Sequence, residues 1–425
     1  MCQQHFQWIK IYIEDYMFFK NLVKILSDQG LYGAVIATLV FVGIGYLVTK
    51  KGIFNKEING KLSKFLLDYA LPFLCIVAFM QPANAKLGRE AGIVIGISAA
   101  FYILIGVWNT VIIRLWPKLM SKSVYAKAER LYQKQGGDLT KEQFKQAHIQ
   151  SYARKISAAQ MMVAYASLQF FAVPLVTALK GNGPEAIFNG SATALLQVWN
   201  LPYMIGAFSY LKMSYSGEKF SKDMIKPIVK SLLSPMMICL YISATLWTLQ
   251  FIPQIGKNLV TSAKDPFNFN VAAEGGKQFW AGMLERFTIL KSFLVPGVQL
   301  ISPMAWILIG GSIATSDLKE AVKDKAVWIT TIRKLFTVPI FMFLVVIGFV
   351  VGGLLTPSTA TLLVILGACP PAAVTIVFSV AYKHEHTPFT AQVSSLSTVG
   401  CLIALPIWTL LASAAFKALA PVVAA

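Results

Sequence analysis

The sequence predicts an all-α integral membrane protein of ten transmembrane helices, in two inverted five-helix repeats with broken helices at spans 4 and 9. Three observations lead there. Of the 425 residues 56% are hydrophobic and 13% charged, where a soluble protein carries roughly twice that charged fraction. The apolar residues gather into runs near the ~20 needed to cross a ~30 Å hydrocarbon core. Prolines interrupt those runs in the same order in both halves.

Residues 1–30 form a segment apart. Gln7, Lys10, Glu14, Asn21 and Lys24 recur at three, four or seven residues, with Trp8, Ile9, Tyr12, Ile13, Tyr16, Phe19 and Val23 opposite. That periodicity describes an amphipathic helix in the membrane interface. A translation start at Met17 is the competing reading.

Ten spans follow, at 32–49, 64–81, 91–115, 157–180, 186–211, 229–252, 292–314, 327–353, 358–382 and 389–415. Basic residues in the connections orient them. Lys50, Lys51, Lys56, Lys61 and Lys64 follow the first span, nine Lys and Arg lie between Pro117 and Lys155, and Lys212, Lys219, Lys222 and Lys226 follow the fifth. Lys319, Lys323, Lys325, Arg333 and Lys334 surround the seventh connection, while the second, fourth and eighth hold two, one and none. Odd connections are therefore expected in the cytoplasm and both termini outside, in the plasma membrane. This distribution also accounts for the net charge of +19 without nucleic acid, because the cations sit in short segments between apolar runs.

The repeat pairs Pro72 of span 2 with Pro303 of span 7, Pro174 of span 4 with Pro371 of span 9, and Pro202 of span 5 with Pro406 of span 10. The first two intervals are 102 and 68 residues, and the excess of 34 is about the size of the charged insert after span 3. Five spans per half invert the second half relative to the first. The expected organisation is thus residues 31–213 with a cytoplasmic insert at 116–155, and 214–425 with an external insert at 253–291. Inverted repeats with interrupted helices at matching positions point to a site near the bilayer midplane.

Pro370-Pro371 is the strongest of these interruptions. Neither proline has an N–H, so the helix must break there, and freed backbone at membrane depth is tolerated only inside protein or against a watery cavity. The half-helix beyond the break presents a partial positive end suited to an anion. Around Pro370 and Pro371 the donors are those of Ala372, Ala373 and Val374, with the Thr375 hydroxyl one turn on. Around Pro174 they are Leu175 and Val176, preceded by Ser167 and Gln169. Asn200 and Gln197 of span 5, and Ser394, Ser395, Ser397 and Thr398 of span 10, either line that site or bond helices together. Asp68, four residues before Pro72, is a candidate for coupling to a proton or cation; an interfacial pair with Lys64 is the other reading. Arg333 and Lys334 read as anchors that reach the interface.

No nucleophile and base pair, phosphate loop or zinc motif is present, so the sequence offers no catalytic residues and calls for no cofactor. Cys75, Cys239, Cys369 and Cys401 stand singly in apolar spans. His384-Glu385-His386 does not place two histidines on one helix face, so a polar turn explains it better than a metal site.

Taken in order, several short blocks resemble the auxin efflux carrier family, whose members include plant auxin exporters and bacterial permeases for malate and related carboxylates. Gly45-Tyr46-Leu47, Lys51-Gly52-Ile53-Phe54, Leu62-Ser63-Lys64 and Ala70-Leu71-Pro72 resemble its first two helices. Gly310-Gly311-Ser312, Arg333-Lys334-Leu335 and Pro339 resemble the seventh and eighth. Ala368-Cys369-Pro370-Pro371-Ala372, Ala381-Tyr382 and Ser397-Thr398 through Leu405-Pro406-Ile407-Trp408 resemble its C-terminal block. The resemblance implies helices 4 and 9 crossing at proline breaks beside the substrate. Family members often carry Asn near those breaks, where this chain has Ser167, Gln169 and Thr375.

The expected activity is secondary transport of a small organic anion, with a proton or sodium as coupling ion, by a monomer or a homodimer in the lipid bilayer. A membrane sensor signalling through the 116–155 hairpin, and a sodium-coupled carrier of the bile-acid type, are the alternatives.

Overall fold

The computed structural model describes residues 17–27, 29–119, 122–135, 140–181, 186–216, 225–252 and 278–420. Most of the expected interfacial segment and residues 253–277 of the expected external insert lie outside them. Among the described residues the fold is helical, and its only β-type pairings are isolated bridges.

We number the helices α1 (Gln29–Lys50), α2 (Lys56–Phe65, continued by Leu66–Ala70 and Leu71–Ala78), α3 (Ala85–Leu119), α4 (Lys122–Gln135) and α5 (Lys141–Ala164). Next come α6 (Leu168–Ala178), α7 (Ala192–Gly206, continued to Ser216), α8 (Ile225–Leu232), α9 (Pro235–Leu249) and α10 (Phe279–Arg286). The chain ends with α11 (Thr288–Ala314), α12 (Lys325–Val351), α13 (Pro357–Ala368), α14 (Ala373–Ala381) and α15 (Thr387–Leu419). Among the described residues five helices are long and apolar enough to cross a membrane: Tyr32–Lys50 of α1, Ala85–Val111 of α3, and all of α11, α12 and α15. Expected spans 1, 3, 7, 8 and 10 coincide with them. Expected spans 4 and 9 are each divided, into α5 with α6 and α13 with α14.

Local chemistry sets the ends. Asn55 caps α2 by accepting from the Ile58 N–H (2.8 Å), and Thr140 and Gln143 cap α5 reciprocally. Gly52 and Gly353 take positive φ (77° and 67°) just past α1 and α12, the left-handed closure that glycine adopts without a Cβ penalty.

Most membrane prolines do not break their helices. The π turns Leu66–Ala70, Leu168–Ala172 and Arg333–Thr337 are each followed, after one intervening residue, by Pro72, Pro174 or Pro339. A proline ring clashes with the carbonyl four residues back and supplies no N–H; one extra residue in the preceding turn accommodates both, and the helix runs on. This corrects the expectation for Pro174. It lies inside α6, buried, and the break of span 4 falls at residues 165–167, where there is no proline.

Two packing groups result. In one, α1 lies along the Ile301–Ala314 part of α11, and α2 packs on α9 and on the start of α11. The first contact is nearly backbone to backbone: a Cβ on Gly45 would fall 2.0 Å from the Ile307 carbonyl oxygen, and one on Gly310 2.0 Å from that of Val42. Small residues let membrane helices approach this closely. In the other group α3 packs on α5 and α7, α12 on α13, and α15 on α12, α13 and α14.

Candidate functional site

Where α5 ends, Tyr165 is extended (φ −92°, ψ 107°); where α13 ends, so are Cys369 (φ −61°, ψ 146°) and Ala372 (φ −69°, ψ 143°). The two stretches pair antiparallel at Ala166 and Pro371. The Ser167 N–H donates to the Pro370 carbonyl and the Ala372 N–H to the Tyr165 carbonyl, both at 2.8 Å. Pro371 lends no N–H, and the bridge needs none from that position. The freed backbone therefore satisfies itself between the two chains.

Beyond the crossing, α6 and α14 both begin at a cavity of about 660 Å³ lined by residues of α2, α6, α7, α9 and α14 and by Lys230 of α8. Ser167, Leu168, Gln169 and Phe170 enter it from one half-helix, and Ala372, Ala373 and Val374 from the other. First-turn amides lack intrahelical acceptors and carry the positive end of the helix dipole. Both positive ends thus meet one space.

Its walls follow helical spacing. Met204, Phe208 and Lys212 of α7 stand four apart, as do Val374, Phe378 and Tyr382 of α14. The stripes face each other: the rings of Phe208 and Phe378 are 6.0 Å apart, edge to face, and the Lys212 ammonium lies 5.9 Å from the centre of the Tyr382 ring. Lys230, Ser234 and Asp68 add to the polar lining. In the sequence Lys212 stands among the loop cations after span 5. Its signal is the i, i+4 register with Phe208 and Met204, visible only if the helix continues past Leu211, as it does through a π turn.

The residues expected at the site divide. Ser167, Gln169 and Asp68 line the cavity, and neither polar atom of the Gln169 side chain has a partner among the described residues. Asp68 makes no ion pair with Lys64 among them. Pro370 and Pro371 build the crossing. Thr375 turns its hydroxyl back onto the Ala372 carbonyl (2.7 Å), and Pro174 accepts at its carbonyl from Ser302 (3.5 Å); neither lines the cavity. Asn200 is buried one turn before Met204, its amide group without a partner among the described residues.

Behind the crossing, Lys334 is 1% exposed and donates to the Val163 carbonyl (2.9 Å), at the negative end of α5. Arg333 beside it donates to Gln160 (3.2 Å). The expectation that both reach the membrane interface is thus overturned for Lys334. The π turn at Arg333–Thr337 re-aims these side chains inward, which no periodicity announces.

On the side of the 116–155 connection, the turn after α14 is tied to α5. Arg154 bonds Glu385, the Ser151 hydroxyl donates to Glu385 (3.0 Å), and His386 Nε2 donates to the Ser151 carbonyl (2.8 Å). Lys155 pairs with Asp324 (3.4 Å). Burial, and secondarily the charge of His386, hold the His384 imidazole down at about 4.

Residues 282–409, from within α10 to within α15, match the model of a family described as membrane transport protein, which includes the auxin efflux carriers and related permeases. No curated protein matches the chain.

Proposed function

We propose that this multi-pass membrane protein, whose residues 282–409 match the model of a membrane transport protein family, is a secondary transporter of an organic anion, best represented by a carboxylate, working by alternating access at the crossing in the plasma membrane. The observation that carries this reading is the convergence of two helix N-termini, Lys212 and Lys230 on one cavity. Fixed amide dipoles recognise a carboxylate without a buried counter-charge. The lysines attract it to the mouth, and the apolar walls of Phe170, Phe208, Met236 and Phe378 accept its body. Ser167 and Gln169 are the side chains proposed to touch the anionic group, and Asp68 the group that couples its movement to a proton or cation. Asn200, Thr375 and Pro174 support the site from behind.

The proposal includes ten spans in two inverted repeats, 31–213 and 214–425, with both termini outside. Its support is the pairing of α1 with α11 and of α2 with α9. These are spans 1 with 7 and 2 with 6, the pairs that a two-fold axis in the membrane plane exchanges. A sodium-coupled variant is less well supported, because the Lys334 ammonium already occupies the carbonyl end of α5. The sensor reading rests on α5, a single helix from the hairpin to the crossing.

Uptake of labelled mono- and dicarboxylates into proteoliposomes, under imposed potential, pH or sodium gradients, tests transport. Saturable flux that falls in the Lys212→Gln, Lys230→Gln double variant is the expected result. Absence of saturable flux for every anion under every gradient overturns it, and tight binding without flux transfers the site to a sensor.

A further inference from the structure

A second concavity, about 710 Å³, runs between α3 and α7, and it shares α7 but no lining residue with the first cavity. Its sides are Ile95, Ile103 and Val107 of α3 and Leu201, Pro202 and Ile205 of α7. This is a membrane face. Ala85–Val111 is long and apolar enough to span, and Ile103 is 65% and Ile205 50% exposed. What meets these side chains is hydrocarbon.

The groove differs from an ordinary lipid-facing surface in three ways. From Ile95 to Val111 it extends about 24 Å at the helical rise, more than one leaflet of a ~30 Å core. One end is polar: the Thr110 and Tyr210 hydroxyls are 2.8 Å apart, the Thr110 hydroxyl also lies 2.9 Å from the Gly106 carbonyl, Asn109 donates to Tyr210 (3.1 Å), and the Oδ1 of fully buried Asn109 has no partner among the described residues. Its floor is shared with the crossing. Tyr102 and Gly206 line the groove, the Tyr102 ring stacks on that of Tyr165 at 5.3 Å, and a Cβ on Gly206 would fall 2.8 Å from the Tyr165 hydroxyl. Tyr165 is the residue whose carbonyl accepts from Ala372 in the bridge.

We propose that this groove binds one acyl chain of a membrane phospholipid, with the ester end at Thr110 and Tyr210, and that the bound chain buttresses the Tyr102–Tyr165 layer behind the crossing. A long apolar trough with a hydroxyl-bearing end matches a single chain and its glycerol ester. A flat second protein surface would leave the trough unfilled, and an unfilled gap forfeits the packing of its lining. The inference requires that α3 faces lipid; it does not require that the protein moves an anion.

The test uses the full chain in vesicles of phosphatidylcholine with a trace carrying a diazirine in one acyl chain. Photolabelling concentrated in 95–111 and 201–210, above that of the equally lipid-facing Leu39 and Val40 of α1 (both 52% exposed), is the expected result. Gly106→Leu fills the groove, since a Cβ there meets only the Tyr210 ring at 3.6 Å, and should lower that labelling to the α1 level. Gly96→Leu, on the same helix with open space beyond its Cβ, should leave it unchanged. Adding phospholipid back to delipidated protein should raise the unfolding midpoint of the wild type and not of Gly106→Leu. Should Gly106→Leu fail to fold, Ile205→Trp on the exposed rim makes the same comparison. Labelling uniform over all lipid-facing helices, meaning annular lipid only, or crosslinking of these segments to a second copy of the chain, overturns the proposal.

Discussion

The two halves of the crossing have the same geometry and opposite origins. At 369–372 the chain has no choice: Pro370 and Pro371 withhold two N–H groups, and the residue before a proline is pushed into extended backbone, as Cys369 is. At 165–167 nothing opposes a helix. Met161 through Leu168 contains no proline or glycine, yet α5 stops at Ala164 and the chain extends. What breaks it is the partner, which offers the Pro370 carbonyl as acceptor and the Ala372 N–H as donor. One break is written in covalent structure and imposes the other through two hydrogen bonds. A helix can therefore be opened at membrane depth by an exchange of partners alone, provided the template is rigid.

That asymmetry is most sharply tested at Ser167. Its side chain makes no hydrogen bond in the crossing, but its N–H does. Ser167→Pro removes that donor while suiting the existing φ of −80°, so the Pro370 carbonyl is left buried and unpaired. The cost should be about 3 kcal/mol of stability, with loss of anion flux. Ser167→Ala keeps the bridge and should change only the apparent affinity. Thermal unfolding of both variants, read beside proteoliposome uptake, separates the two effects; equal stability of Ser167→Pro and wild type would show that the paired backbone does not hold the break.

The next effect concerns how the unprolined end of α5 is terminated. Lys334 supplies a cation to its last turn through the Val163 carbonyl. Lys334→Met fits the same buried space and removes the charge-assisted bond, and should lower stability by about 2 kcal/mol. Part of the lost bond is offset by no longer burying an ammonium. Lys334→Gln, which retains a donor, should fall between. If Met is as stable as Lys, the end of α5 is secured by the backbone bridge alone.

How much of this was legible follows the same division. Helices α1, α3, α11, α12 and α15 are long apolar runs, and the double proline announces its own break. Asp68 and Ser167 could be placed near a site by their distance from interruptions, and both line the cavity. Pro174 misled, because a proline absorbed by a π turn and a proline in a true break are the same letter. Lys212 and Lys334 were hidden for a related reason. Their depth depends on whether a helix continues and on which way a π turn rotates it, and tertiary packing decides both. The break at 165–167 had no local signal at all, since its cause lies some 200 residues away in the chain.

The smallest effect lies at the turn that joins the crossing helices outside the apolar layer. His384 sits against Tyr215 and accepts at Nδ1 from the His386 N–H (3.3 Å), beside Glu385 and Arg154. Burial and the neighbouring His386 hold its pKa at about 4, below the usual ~6.5. The unfolded chain therefore takes up a proton between those values that the folded turn refuses, and stability falls as pH drops from about 6.5 to about 4, then levels off for this group. Glu385 adds to the loss at lower pH: although burial raises its pKa, hydrogen bonds from Arg154 and Ser151 outweigh that and hold it below its ordinary value. Its contribution is present above the unfolded pKa and disappears as pH falls through the folded one. Because the turn is partly solvated, the His384 effect should be about 1 kcal/mol or less. Unfolding midpoints from pH 7 to pH 4 should decline less in His384→Gln than in the wild type. A wild-type decline that the variant reproduces would assign the pH dependence to Glu385 and its partners on α5, leaving His384 as packing.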